Sequence, residues 1–307
     1  MSMNLRLGTR ASTLATTQSG MVADDIVARA AAQGHEVTVE LVEISTKGDR
    51  TQGSLVGLSE VGVFVNALRD ALLNDECDLI VHSLKDMPVG AHPELTMVAV
   101  TEREDVRDAL CADGLTLAEL PDGARVGTSS PRRAAQVRAL RSDLQVADLR
   151  GNVDSRLGRV GNDFDAVILA AAGLARLGRS DEVSEFFDVT QMVPAPGQGA
   201  LGVEVRNDAP KDLIDLVGAI DHPQTRAAVT AERATLGILD AGCSAPVAAH
   251  ATVNGSELKL TARVTNLAGT LVLNEIDSGE SVRAESIGKS AGWALMGRGA
   301  ARLMGRS

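Results

Sequence analysis

Tyrosine is absent from this chain, and its aromatic residues are Phe64, Phe164, Phe186, Phe187 and Trp293. Sequence-tolerant binding of single-stranded nucleic acid stacks bases on aromatic rings, so this shortage argues against it. A formal net charge of −11 argues equally against a duplex-binding surface, which must be cationic. No run of about 20 apolar residues exists, so no membrane-spanning helix is expected. The first residues, Asn4–Leu7, look like a strand, and no apolar signal segment stands before them. Three cysteines (Cys77, Cys111, Cys243) at long spacings give no disulfide framework, and a reduced cytoplasmic setting is expected. The five histidines lack metal-ligand spacing, so no metal site is expected.

What the chain does have is apolar bulk without rings. Apolar residues make up 44% of 307, enough for two or three domains with cores of Val, Leu, Ile and Ala. The first half alternates strands (residues 4–8, 37–44, 77–82, 95–100) with helices (13–33, 63–73), the pattern of an α/β layer with a mostly parallel sheet. A second α/β unit begins near Arg103, with strands at 125–127, 145–149 and 166–170. Residues 200–205 read as a strand that returns to the first sheet. Two similar units joined by crossing segments suggest a hinged pair around a cleft. The last part changes character: helices at 213–218 and 225–239, an antiparallel meander at 248–253, 258–265 and 270–276, and a closing helix at 281–303. No amphipathic surplus points to a large interface, and a monomer is expected.

Residues 125–159 hold eight arginines, no lysine and three aspartates, a local balance of +5 in an acidic protein. The planar guanidinium grips carboxylates and phosphates through two parallel hydrogen bonds, which lysine cannot do. The segment reads strand, polar turn (Thr128, Ser129, Ser130), then Pro131 opening a helix with Arg132 and Arg133 in its first turn. Cations at a helix N-terminus are unfavourable, and an anion docked there turns the liability into a binding site. Arg150-Gly151-Asn152 and Arg156 follow a second strand, where they can converge with Arg132 and Arg133. Arg138, Arg141 and Arg159 fit a solvated helix face and stay outside the site.

His82-Ser83-Leu84-Lys85-Asp86-Met87-Pro88 ends an apolar strand, at the sheet edge where α/β proteins bind ligands. It reads either as a solvated turn or as a carboxylate and a cation presented to a ligand. In the second case Asp86 stays ionised and can hold an N–H donor or a developing cation. Cys243 sits in Asp240-Ala241-Gly242-Cys243-Ser244-Ala245-Pro246. It reads either as a small buried hydrophobe or, given its small neighbours, as a reactive or modified thiol. Gly197-Gln198-Gly199-Ala200-Leu201-Gly202 matches GxGxxG but precedes a strand, the wrong context for a dinucleotide. Gly288-Lys289-Ser290 resembles the end of a P-loop, yet Arg283 stands where its first glycine belongs.

Taken in order, the segments 8–12, 82–88, 127–133, 149–152, 171–178, 194–200, 230–233 and 242–246 resemble the hydroxymethylbilane synthase (porphobilinogen deaminase) family. The resemblance implies two α/β domains like the halves of periplasmic binding proteins, around a cleft, and a small α+β C-terminal domain with a three-stranded antiparallel sheet. Expected boundaries are 1–99 with 200–218 (catalytic aspartate), 104–193 (acid-binding arginines) and 222–307 (cofactor loop). It implies a dipyrromethane cofactor joined by a thioether to Cys243. Onto it four porphobilinogen molecules would be condensed head to tail, and linear hydroxymethylbilane released by hydrolysis. Each porphobilinogen ring carries an acetate and a propionate, so a growing chain accumulates carboxylates and needs arginine. By the family motifs, Asp86 is the catalytic residue. Ser83, Lys85, Asp86, Thr128, Ser129, Ser130, Arg132, Arg133, Arg150 and Gly151 would hold the cofactor. Arg10, Ser12, Arg150, Arg156, Arg176 and Gln198 would bind substrate. Glu60-Val61-Gly62-Val63-Phe64 departs from the family's Gly-Lys-Gly-Leu-Phe, so the part of that lysine is not carried over to Val61. A reading from another class is a non-catalytic two-lobed protein that clamps an organic acid.

Overall fold

In the computed structural model the described residues are 2–44, 60–241 and 245–306, with 60–64 described by backbone alone. They fall into two compact units, Met1–Arg103 with Ala200–Arg226 and Glu104–Gly199 with Ala227–Ser307.

The first unit is built on β1 (Ser2–Thr9), which pairs in parallel with β2 (Glu36–Glu43) and β3 (Leu79–Ser83). The returning strand β10 (Leu201–Arg206) does join this sheet. It lies antiparallel between β3 and β4 (Leu95–Val100), giving the order β2-β1-β3-β10-β4. Four of the five strands therefore run the same way, as expected of a mostly parallel sheet, and β10 alone is reversed. An alternating apolar run specifies a strand but carries no direction. Side chains alternate cleanly across it. Leu5, Leu7, Leu79, Val81, Leu201, Val203 and Val205 face α1 (Thr13–Ala32) and α6 (Lys211–Gly218), where Val22, Ile26, Leu213 and Val217 complete the core. Ile80 turns the other way, onto Leu68, Ala71 and Leu72 of α2 (Glu60–Leu73). Each fully buried leucine of these layers contributes about 1.5–3 kcal/mol.

The second unit contains another mixed sheet, β7-β6-β8-β5-β9. Here β6 (Arg125–Gly127) runs parallel to β7 (Gln145–Ala147) and β8 (Ala166–Ala170), while β5 (Asp108–Cys111) lies antiparallel to β8 and to β9 (Glu185–Phe186). Neither β5 nor β9 is legible in the sequence, because four and two residues are too few to display a period. Its helices include α3 (Pro131–Leu140), α4 (Val153–Leu157) and α5 (Ala171–Arg176).

The meander appears as expected, β11 (Val247–Asn254), β12 (Glu257–Thr265) and β13 (Val272–Glu280). The third strand starts later and runs further than its apolar residues suggest. Asp277–Glu280 look like a loop but pair fully with β12, Glu257 opposite Glu280. The closing helix is not continuous: a 3-10 turn precedes α8 (Ala284–Gly297), and Gly299 at φ +90° separates it from α9 (Ala300–Leu303). A Cβ on Gly288 would collide with the Ala231 carbonyl of α7 (Pro223–Ile238). That glycine therefore serves close helix packing, which accounts for the P-loop-like triplet.

Candidate functional site

The first unit gathers one set of expected residues at the C-terminal ends of its adjacent strands β1 and β3. Arg10 follows β1, and Ser12 caps α1, its hydroxyl accepting the Ala15 N–H at 3.4 Å. A serine there satisfies a backbone donor that the helix cannot. Ser83 closes β3 with its hydroxyl 3.2 Å from the buried amide of Gln18 on α1. The chain then makes a 3-10 turn, Leu84–Asp86. Leu84 N–H donates to Ala200 C=O at 3.1 Å and Met87 N–H to Leu84 C=O at 3.2 Å. Leu84 is buried, Lys85 half-buried and Asp86 exposed, so the anchored turn presents the carboxylate to solvent. Gly202, opposite His82 in the ladder, makes room for this turn: a Cβ there would lie 2.5 Å from Leu84 Cδ2.

Behind the turn lies a trio with no counterpart among the sequence-derived candidates. Glu204 on β10 is buried and takes two hydrogen bonds from Arg69 of α2, Nε to Oε2 at 2.9 Å and Nη2 to Oε1 at 2.7 Å. His82 Nε2 lies 3.2 Å from Glu204 Oε2, close enough to interact but off the line of a well-aligned hydrogen bond. Burial opposes ionisation of this carboxyl, but the contacts with His82 and Arg69 outweigh it and bring Glu204 down to about 2.

In the second unit Arg132 and Arg133 are buried rather than displayed, and both converge on Asp108 at the start of β5, which is wholly buried. Arg132 reaches it through Nη1 (2.6 Å) and Nη2 (3.2 Å), Arg133 through Nε (2.9 Å) and Nη2 (2.8 Å). Gln198 Nε2 adds a fifth donor at 2.9 Å. Burial alone would raise the Asp108 pKa; the two guanidinium groups overcome it and hold the carboxyl well below the usual range. Two buried cations thus converge on one buried anion. Arg132 Nε is a buried donor without a partner among the described residues. Arg176 is similar: Nη2 donates to Gly199 C=O at 2.6 Å, Nε is buried without a partner, and burial pulls its pKa down against the opposing charge of Glu104.

The polar turn ahead of α3 behaves as its sequence implies. Ser130 caps the helix, accepting Arg133 N–H at 3.4 Å; Thr128 is buried, its hydroxyl accepting Ser130 N–H at 3.2 Å; Ser129 is exposed. Arg150 and Gly151 are exposed and Arg156 half-buried at the next strand-to-helix junction. Arg150 Nε leans on Asp148 at 3.2 Å and Arg156 Nε donates to Gly151 C=O at 2.7 Å. The structure thus joins Arg132, Arg133 and Gln198 through Asp108, and gives Arg150 and Arg156 bonds within their own segment. Cys243 lies outside the described residues, and so do the side chains around Val61. Asp108 carried no sequence signal except a charge argument: buried arginines need a counter-ion, and it stands 24 residues before Arg132.

These residues fit a ligand bearing several carboxylates, such as the dipyrromethane implied by the resemblance. The fit rests on two buried guanidinium groups, N–H donors on Arg132 and Arg176 that lack a partner among the described residues, and three hydroxyls on the adjoining turn. Among the described residues no cluster of side chains suits a metal ion. The family model "Porphobilinogen deaminase, dipyromethane cofactor binding domain" matches residues 5–213, and "Porphobilinogen deaminase, C-terminal domain" matches 226–297. The porphobilinogen deaminase of Thermobifida fusca is 52% identical over 283 residues, covering 91% of this chain and 84% of that one. Those of Mycobacteroides abscessus and Mycobacterium tuberculosis are 47% and 49% identical, covering 98% of this chain and 100% and 98% of theirs. Among solved structures, lipoprotein Tp32 from Treponema pallidum aligns at 11% identity and TM-score 0.43, over 70% of this chain and 89% of that one. With relatives near 50% identity from end to end, and with cofactor-domain and C-terminal models both matched in order, the chain belongs to the porphobilinogen deaminase family.

Proposed function

We propose that the chain, a transferase of tetrapyrrole biosynthesis, acts as a hydroxymethylbilane synthase whose acid-binding arginines and Asp86 turn divide the labour. The observation that carries this reading is the family match across 5–213 and 226–297, in a chain that buries two arginines at the start of α3. A non-catalytic acid-binding protein is not favoured, since the relatives above are all named as the deaminase.

Dipyrromethane, bound through Cys243, would supply the pyrrole carbon that takes up the first unit, each later unit adding to the free pyrrole carbon of the one before. Arg132, Arg133, Thr128, Ser129, Ser130, Arg150 and Gly151, with Ser83 and Lys85, would hold its acids. Arg10, Ser12, Arg156, Arg176 and Gln198 would hold those of incoming porphobilinogen. Charge-assisted bonds of this kind are worth roughly 1.5–3 kcal/mol each. Loss of ammonia leaves porphobilinogen cationic, and Asp86 would stabilise that charge, hold pyrrole N–H groups and assist departure of the proton. In this reading 1–99 with 200–218, 104–193 and 222–307 act as three functional domains, the last carrying Cys243. A monomer in the cytoplasm is proposed. Cys77 and Cys111 are free buried thiols, in keeping with a reducing compartment, and no described helix is long and apolar enough to cross a membrane.

The intact mass decides. The purified protein should exceed its 31.9 kDa chain mass by two pyrrole units, and Cys243→Ser should remove the excess. Active protein at the bare chain mass would overturn the assignment.

A further inference from the structure

We infer that His82, held by Glu204, which Arg69 in turn clamps, is a positioning residue that sets how the Leu84–Asp86 turn presents Asp86. The inference rests on the role proposed for Asp86.

The strand that launches the turn is held from both faces. Odd-numbered residues of β3 point toward α1, where Ser83 meets Gln18. The even-numbered Ile80 and His82 point toward α2, where Ile80 packs in an apolar layer with Leu68 and Leu72. A carboxylate in such a layer is expensive unless paired. Glu204 is 3% exposed, Arg69 6% and His82 6%, so the whole trio is withdrawn from water. Apolar side chains of similar size would serve stability as well or better. What charge adds is direction. Glu204 stands opposite Ile80 in the ladder and reaches His82 on the diagonal, while His82 itself stands opposite Gly202. A slip of β3 along β10 would separate His82 from Glu204 and move Leu84 off the space that Gly202 leaves for it. The trio ties three elements, α2, β3 and β10, to one register at the point where the catalytic turn departs. Asp86 is four residues beyond His82, and alongside Ser83 and the Leu84 N–H bond to Ala200 the trio anchors the turn from the α2 side.

The test compares His82→Leu with His82→Gln, which keeps an N–H donor at similar reach, in the cofactor-bearing protein. Misplacing a reacting group by about 1 Å costs up to ~10²-fold in rate. His82→Leu should carry the same mass excess as the native protein and show kcat lower by ~10–100-fold, with KM changed less than about threefold. His82→Gln should recover most of that kcat. Arg69→Met combined with Glu204→Leu removes both charges at once and should also lower kcat with little change in KM. This pair carries the test if His82→Leu does not fold. Native kcat in His82→Leu, or equal losses in the leucine and glutamine variants, would overturn the inference. A native protein with neither mass excess nor porphobilinogen turnover would instead overturn the functional reading beneath it.

Discussion

Replacing Asp108 by asparagine removes the carboxylate that two buried guanidinium groups share, and the consequences can be worked through. Four arginine contacts between 2.6 and 3.2 Å and one from Gln198 at 2.9 Å end on its two oxygens. An asparagine accepts through one oxygen only, and its NH₂ faces cations. Breaking a buried pair by removing one partner costs about 3–5 kcal/mol, because the other charge stays behind. Here two stay behind. A unit of this size loses roughly 2–4 °C of Tm per kcal/mol, so a fall of about 6–20 °C is expected near neutral pH. The pH dependence has a definite sign. The folded pKa of Asp108 is depressed, so its contribution is fully present above the unfolded value, about 3.9, and is lost as pH falls through the folded one. The gap in Tm between native protein and Asp108→Asn should therefore hold from pH 7 to about 5 and narrow below about pH 4. Glu204 follows the same acid trend but is present in both proteins, so it leaves the difference unchanged. Thermal unfolding followed by circular dichroism between pH 3 and 7 measures this. An unchanged Tm, or a gap that stays constant down to pH 3, would refute the shared-carboxylate argument.

Asp86→Asn should fold, keep the mass excess and lose about 10²–10⁴-fold in turnover, since the change removes an exposed carboxylate from the proposed chemistry; full activity would take Asp86 out of its role. Gly202→Ala should cost about 1–3 kcal/mol in thermal unfolding and lower kcat as well. Its Cβ would sit 2.5 Å from Leu84 Cδ2 and 3.2 Å from Met97 Sδ, displacing the residue two before Asp86. A native Tm in that variant would show that the turn has room to spare.

What was legible in the sequence is what depends on neighbours in the chain. The β3 edge with Asp86, the Ser130 cap, the Pro131 helix start and the meander all follow from local pattern, and the structure has them. What was not legible depends on distant residues. Asp108 gives no sign in Arg107-Asp108-Ala109 that it will neutralise arginines on α3. Glu204 sits in a strand whose alternation predicts only that it faces one side, and its partner Arg69 is 135 residues away. Strand direction was illegible for the same reason: β5 and β10 take theirs from neighbours that the local period does not identify.

The arginine island shows how far a net charge read from sequence overstates a site. Arg141 leans on Asp143 and Asp122, Arg150 on Asp148 and Arg159 on Asp163, carboxylates that are themselves 37% exposed or more. Pairs of that kind contribute about 0–1 kcal/mol, because water screens them. Arg125 lies over the Phe164 ring at 4.6 Å, and Arg138 donates to the Leu267 carbonyl. The local balance of +5 thus resolves into surface arginines paired in water and two buried ones, Arg132 and Arg133, that share Asp108. A carboxylate about 4 Å from a unit charge gains about 1 kcal/mol in water but about 4 kcal/mol at the lower effective dielectric near protein. For the proposed role, one desolvated charge beside the Thr128–Ser130 turn therefore counts for more than several solvated ones. The helix start places it there, because Pro131 and Ser130 fix where Arg132 and Arg133 begin and Asp108 fixes where they end.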